Sequence, residues 1–184
     1  KRNITSIKTT EQPDYEALFL KFSQSLPRST KAQDYLKHRG LENFKEVGYN
    51  SGKFYNKLKH CIIFPLKDKN GNITSLYGRR ITESKGYNAE YGKHYYSENR
   101  SGLYPCYPSP ETEILIITEA IIDAATLLQI IGKDKALPCL NGLNGKTAIL
   151  SAYGTNGLTK EHKAAIKELE NLKEIIFFFD GDQP

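Results

Sequence analysis

The stretch Ile175-Ile176-Phe177-Phe178-Phe179-Asp180-Gly181-Asp182-Gln183 decides how the rest of this chain is read. Five consecutive apolar residues predict a strand buried on both faces, as in the parallel sheets of α/β proteins. That strand runs straight into two carboxylates separated by one glycine. Ligands of such sheets bind beyond the carboxyl ends of the strands. Side chains two apart on extended backbone point the same way, so Asp180 and Asp182 are expected to converge. Two anions that close repel unless a cation lies between them, and hard Mg²⁺ prefers such oxygens. A surface Asp-Gly turn after a core strand is the competing reading of the tripeptide alone. Little follows Asp182, whereas a buried strand wants a neighbour and a covering helix. The sequence therefore reads as a fragment of something longer, and its lack of Met and its start at Lys1 agree.

Upstream, the texture changes at about Glu113. From there, short apolar strands alternate with helices: a strand over Ile114 to Thr118, a helix from Ala120 to Ile131, and a strand from Ala136 to Leu140. A helix from Thr159 to Leu172 then presents Ala165, Ile166, Leu169 and Leu172 ahead of the final strand. Such alternation implies parallel crossovers in an open sheet. Before Glu113 the pattern is mixed. Tyr15, Leu18, Phe19 and Phe22 fall at helical spacing between Pro13 and Leu26, and Pro27 stops that helix. A second helix starts at a Ser29 or Thr30 cap, runs to His38 and ends at Gly40. Residues 61–66 and 72–79 read as strands joined by a hairpin turn over Asp68 to Asn72. Residues 84–112 show little regular structure beyond a short strand near His94. The expected organisation is a linking segment over 1–12, a basic α+β subdomain over 13–112, and a truncated α/β subdomain with a parallel sheet over 113–184.

Composition bounds the function. The chain has 184 residues, is 39% hydrophobic and 26% charged, and carries a net charge of +5, which suits a soluble globular protein. No apolar run approaches the roughly 18 residues that a membrane helix needs. Cys61, Cys106 and Cys139 are scattered singly, so no zinc site is expected within these limits. An odd count without a framework points to a reducing, cytoplasmic compartment. Basic residues gather between Lys31 and Arg100, interleaved with many of the twelve tyrosines. That mixture suits neutralisation of a nucleic-acid backbone plus stacking on bases, and equally a solvated basic face with half-buried tyrosines.

The acids form a constellation. Glu119 ends the first strand of the α/β half, as Asp180 and Asp182 end a later one, and adjacent parallel strands would bring all three to one sheet edge. Asp123 follows Glu119 by four residues, where an acid also complements the helix dipole.

This layout resembles the TOPRIM domain, whose pattern is a Glu after one strand and Asp-x-Asp after a later one. Within that group it looks most like the bacterial DnaG-type primases. Their Glu-Gly-x-x-Asp is similar to Glu119-Ala120-Ile121-Ile122-Asp123, with Ala120 a departure. Their Gly-Thr-x-x-Thr-x-x-His resembles Gly154 to His162 with one extra residue, and their Asp-Gly-Asp matches Asp180-Gly181-Asp182. In the first half, Tyr35-Leu-Lys-His-Arg-Gly-Leu41 resembles their Tyr-Leu-x-x-Arg-Gly-Leu. Phe64-Pro-Leu-Lys-Asp-Lys-Asn-Gly71 and Tyr77-Gly-Arg-Arg80 resemble their Phe-Pro-Ile-x-Asp-x-x-Gly and Phe-Gly-Gly-Arg. Lys93-His-Tyr-Tyr-Ser97 resembles their Lys-Tyr-Leu-Asn-Ser, with His94 and Tyr96 as departures.

The resemblance implies template-directed synthesis of short RNA primers on single-stranded DNA from ribonucleoside triphosphates. The reaction is nucleotidyl transfer that needs two or more Mg²⁺ or Mn²⁺ ions. It implies Asp180, Asp182 and Glu119 as metal ligands, with Glu119 alternatively the base and Asp123 completing the acidic catalytic cluster. Arg79 and Arg80 leave a strand together, so alternation sends one to each face, and one of them should reach phosphate. Lys93 is a further phosphate candidate, and Tyr95 and Tyr96 are candidates for base stacking. Asp68 is expected to shape its turn. The family carries a further acidic pair after the next strand, so these 184 residues alone are expected to be nearly inactive. A replicative helicase would be a partner through regions absent here. The competing expectations are a TOPRIM nuclease, and a non-catalytic nucleic-acid-binding module of a phage or mobile-element replication protein.

Overall fold

The computed structural model describes residues 13–82, 92–98, 100–131, 146–154 and 156–181. Helix α1 (Tyr15–Ser25) starts where Asp14 Oδ1 accepts the Ala17 N–H at 3.0 Å, and it buries Tyr15 and Phe22. Helix α2 (Thr30–His38) is capped by Ser29, whose hydroxyl accepts from the Ala32 N–H, and it turns inward on Ala32 and Leu36. These caps satisfy amide donors that a helix start leaves unpaired.

Strands β1 (Gly48–Asn50), β2 (Cys61–Lys67), β3 (Ile73–Arg80) and β4 (His94–Tyr96) form an antiparallel sheet in that order. Buried from Cys61 to Leu66, β2 is covered on both faces. The β2–β3 turn is organised by Asp68, whose Oδ1 accepts the Asn70 and Asn72 N–H groups at 2.8 and 2.9 Å. Asp68 therefore shapes its turn, as its sequence context suggested.

The second sheet is parallel, ordered β6 (Thr147–Ser151), β5 (Ile114–Thr118), β7 (Glu174–Phe178). Helix α3 (Ile121–Ile131) covers one face. It buries Ile121, Ile122, Ala124, Ala125 and Leu128 in a cluster that also holds Leu36, Phe64, Tyr77 and Ile149. This cluster joins the two sheets. Helix α4 (Lys160–Lys167) covers the other face, where Ala165 and Leu169 meet Leu115, Ile117 and Leu150. Each fully buried Leu or Ile among these contributes about 1.5–3 kcal/mol.

A short seam stitches the sheets together. Leu103 exchanges both backbone hydrogen bonds with Lys67 at 2.8 and 3.0 Å, and the Tyr104 carbonyl accepts from the Ser151 N–H at 2.9 Å. Gly102 precedes this seam. Its N–H reaches Glu161 Oε2 at 2.9 Å, and its carbonyl accepts from Tyr153 Oη at 2.7 Å.

The structure corrects two expectations and adds a strand that the sequence reading did not announce. The final strand is not buried on both faces: β7 lies at the described edge of its sheet, and Ile175 to Phe178 are all exposed. Its apolar run belongs to a strand whose faces and outer edge no described element covers. The fourth helix is shorter than expected, Lys160–Lys167 against Thr159 to Leu172, because the helical bonding lapses after Lys167 and the Leu169–Leu172 segment packs as a turn. The strand pairing with β5 from the other side is Thr147–Ser151, which the sequence reading missed. The strand expected at residues 136–140 lies outside the described residues. Among the described residues, no helix is long and apolar enough to cross a membrane.

Candidate active site between the two sheets

The ends of β3 and β4 face the carboxyl ends of β5 and β6 across an open cavity of 490 Å³. Glu119 sits where β5 ends, and its loop is pinned from both sides. The Gly154 N–H donates to the Glu119 carbonyl at 3.0 Å, and the Ala152 N–H donates to that of Thr118 at 2.8 Å. Asp123 stands on the first turn of α3, with Oδ2 accepting the Ala120 N–H at 3.1 Å. Asp180 enters from beyond β7, the neighbour of β5, and is exposed. Parallel pairing thus brings Glu119, Asp123 and Asp180 to one cavity.

Their mutual repulsion registers on Asp123. Its carboxyl is raised, first by burial, against which the Ala120 N–H acts, and then by the charges of Asp180 and Glu119. Arg39 pulls the other way. A site where neighbouring carboxylates raise Asp123 in this way favours an added cation. The donors are of the hard oxygen type that suits Mg²⁺ or Mn²⁺. Among the described residues, however, no three His, Cys, Asp or Glu side chains are drawn together tightly enough to enclose an ion. Asp182 lies outside the described residues.

Opposite the acids stands the basic wall. Arg79 and Arg80 do diverge across their strand. Arg79 lines the cavity, and its Nη1 lies 2.5 Å from His94 Nε2. Arg80 lies over the Tyr95 ring at 4.5 Å. Lys93 is exposed, and its carbonyl accepts the Arg80 N–H at 3.0 Å. Tyr95 donates to the Gly92 carbonyl at 3.3 Å. Tyr96 is half-buried: its ring packs on Tyr77 and Tyr153 at 5.4 and 5.5 Å, and Arg100 covers it at 4.2 Å. Of the nucleic-acid candidates, Arg79 and Tyr96 line the cavity with the acids; Arg80, Lys93 and Tyr95 do not.

Sequence reasoning missed Arg39, Tyr77, Tyr153 and Arg100. Arg39 and Tyr77 sat inside segments quoted for the resemblance, which was the available signal. Arg100 and Tyr153 carried none, because their role comes from stacking between segments 53 residues apart: Arg100 lies 4.5 Å over Tyr153. The motif histidine, His162, is structural. Buried, it bridges Thr159 and the Ser151 carbonyl (2.9 Å), and its ring packs edge-on to Tyr153 at 4.6 Å. A second open cleft of 370 Å³ continues past Arg39 and Asp123 between the end of α2, α3 and Phe178.

No protein-family model matches the chain. It is 24% identical to a DNA primase of Haemophilus influenzae over 89% of its length, and 31% identical to one of Pasteurella multocida over 72%. The chain spans 37% and 26%, respectively, of the length of these relatives. The catalytic domain of a DnaG primase bound to single-stranded DNA superposes with a TM-score of 0.59 at 19% identity, covering 91% of this chain and 62% of that one. The resemblance to DnaG-type primases therefore holds over most of the chain, in sequence and in fold.

Proposed function

We propose that this chain forms part of the catalytic core of a DNA primase, which builds short RNA primers on single-stranded DNA by metal-dependent nucleotidyl transfer. The observation that carries this reading is one cavity with Glu119, Asp123 and Asp180 on one wall and Arg79 on the other. In such a reaction a 3′-hydroxyl attacks an α-phosphate and pyrophosphate leaves. Asp180, Asp182 and Glu119 are the residues that would hold the divalent ions, which when bound supply charge stabilisation at the phosphate. Glu119 alternatively takes the hydroxyl proton. Arg79 sits where it could meet phosphate charge, and Arg39, on the rim joining the cavity to the second cleft, would hold backbone phosphate.

Template contact falls to the antiparallel sheet and its basic edge, including Arg80, Lys93 and Tyr95. Single-stranded DNA, the ligand of the structural relative with that complex, is the template proposed here. Ribonucleoside triphosphates are the substrates, a helicase is the partner through other regions, and the cytoplasm is the compartment.

The test is primer synthesis on single-stranded DNA with Mg²⁺ or Mn²⁺ and labelled ribonucleotides. It uses a protein that includes the further acidic pair which the resemblance places after the next strand. Short oligoribonucleotides, lost in Glu119→Gln and Asp180→Asn, are expected. DNA binding that ignores Mg²⁺ and survives Asp180→Asn, with no product, would replace this reading by the non-catalytic module.

A further inference from the structure

Strand alternation turns Tyr77 and Arg79 to the same face of β3, and His94 of β4 is paired in register opposite Arg79. The three side chains form a chain of hydrogen bonds. Arg79 Nη1 is 2.5 Å from His94 Nε2, and His94 Nδ1 is 2.7 Å from Tyr77 Oη. Arginine only donates, so His94 Nε2 accepts and carries no proton. The ring's proton is then on Nδ1, which donates to the Tyr77 oxygen. Hydrogen bonding alone thus fixes both the charge and the tautomer of His94. Burial first, then the neighbouring cations Arg79 and Lys93, push His94 below the ordinary histidine range and agree with a neutral ring.

His94 occupies one of the five N–H groups of the Arg79 fork. The guanidinium lines the cavity that holds Glu119 and Asp123. A planar fork held by one edge keeps donors for two phosphate oxygens. Arg80, from the opposite face of β3, lies over Tyr95 instead. Tyr77, Arg79 and His94 also stand where the primase pattern quoted above has Phe, Gly and Tyr. The three departures therefore meet in one bonded unit.

We propose that Tyr77 and His94 hold the Arg79 guanidinium as a clamp for the phosphates of a nucleotide, with His94 a positioning residue kept as the neutral, Nδ1-protonated tautomer. This deepens the primase reading and rests on it only for the ligand being a nucleotide. The clamp itself requires a polyphosphate.

Two measurements test it, and neither needs template or polymerisation, so both stay decisive if primer synthesis fails. In ¹⁵N-histidine-labelled protein at neutral pH, His94 should show a protonated Nδ1 and a bare Nε2. A protonated Nε2 overturns the proposal. Calorimetric binding of magnesium tripolyphosphate should weaken about tenfold in Arg79→Ala and in His94→Phe, the worth of about one charge-assisted hydrogen bond. His94→Gln, whose amide oxygen can still accept from Arg79, should recover most of that loss. Tyr77→Phe retains the ring and should lose less than His94→Phe, which guards against a folding defect in the latter. Wild-type affinity in His94→Phe, no rescue by His94→Gln, or no tripolyphosphate binding by the unaltered protein overturns the clamp.

Discussion

Replacing Gly102 by alanine is expected to cost far more than the same change at Gly71. Both glycines have left-handed backbone, with φ of +84° and +86°. A β-carbon in that conformation costs about 1–2 kcal/mol. At Gly71 nothing lies within 4 Å of the new atom, so that is the whole cost. At Gly102 the β-carbon would fall 2.8 Å from the backbone carbon of Leu66 and from the Lys67 nitrogen. Backbone atoms in a paired strand cannot swing aside, and forced overpacking adds about 1–3 kcal/mol. The total, about 2–5 kcal/mol, is a large part of the roughly 5–15 kcal/mol that holds a domain folded. Relief by moving residue 102 off β2 would strain its bonds to Glu161 and Tyr153. Urea unfolding of the two variants reads the difference directly as a gap in midpoint. Equal midpoints would refute the close approach and, with it, the seam between the sheets.

Two further outcomes are expected. Leu115→Ala, at the buried centre of the parallel sheet, should cost about 2–5 kcal/mol, whereas Phe177→Ala, 59% exposed on the neighbouring strand, should cost under about 1 kcal/mol. Comparable urea midpoints for the pair would contradict the edge position of β7. His60, His94 and His162 are all lowered, burial being the largest cause in each. The unfolded chain therefore binds more protons below its histidine value of about 6.5. Stability should be fully present above about pH 6.5 and fall as the pH drops through the folded values. Raised Asp123 opposes this, its penalty being relieved as the pH falls into the carboxylate range. Thermal unfolding followed from about pH 8 to about pH 5 checks the sign, and a midpoint that climbs on acidification through the sixes contradicts it.

Local chemistry made much of the fold legible. Asp14, Ser29 and the Asp68–Asn72 turn act through neighbours a few residues away, so α1, α2 and the β2–β3 hairpin emerge close to their expected limits. Strand β5 was readable from its own apolar run. What escaped depends on partners distant in sequence. Thr147–Ser151 takes its place from Ile114–Thr118, which lies beside it, and the Asn144-Gly145 turn signal ahead of it was the local clue that the reading passed over. The exposure of β7 is set by what covers it, which its composition could not convey. Among the site residues, the separation of Arg79 from Arg80 followed from alternation alone. The stacking of Arg100 on Tyr96 and Tyr153 follows from docking of the two sheets, which no local pattern encodes.

Strand order has a consequence in time. The β2–β3 hairpin closes through a short turn as soon as its second strand leaves the ribosome, whereas β5 meets β6 only across 33 residues and β7 later still, since Ile114 pairs with Thr147 and Glu174. Synthesis proceeds at about 5–20 residues per second and domains form from the N-terminus onward, and such long-range parallel pairings are slow to form. Glu119 is therefore made and exposed well before Asp180 can lie beside it. A nascent chain therefore completes its basic antiparallel sheet first and brings its acids together last.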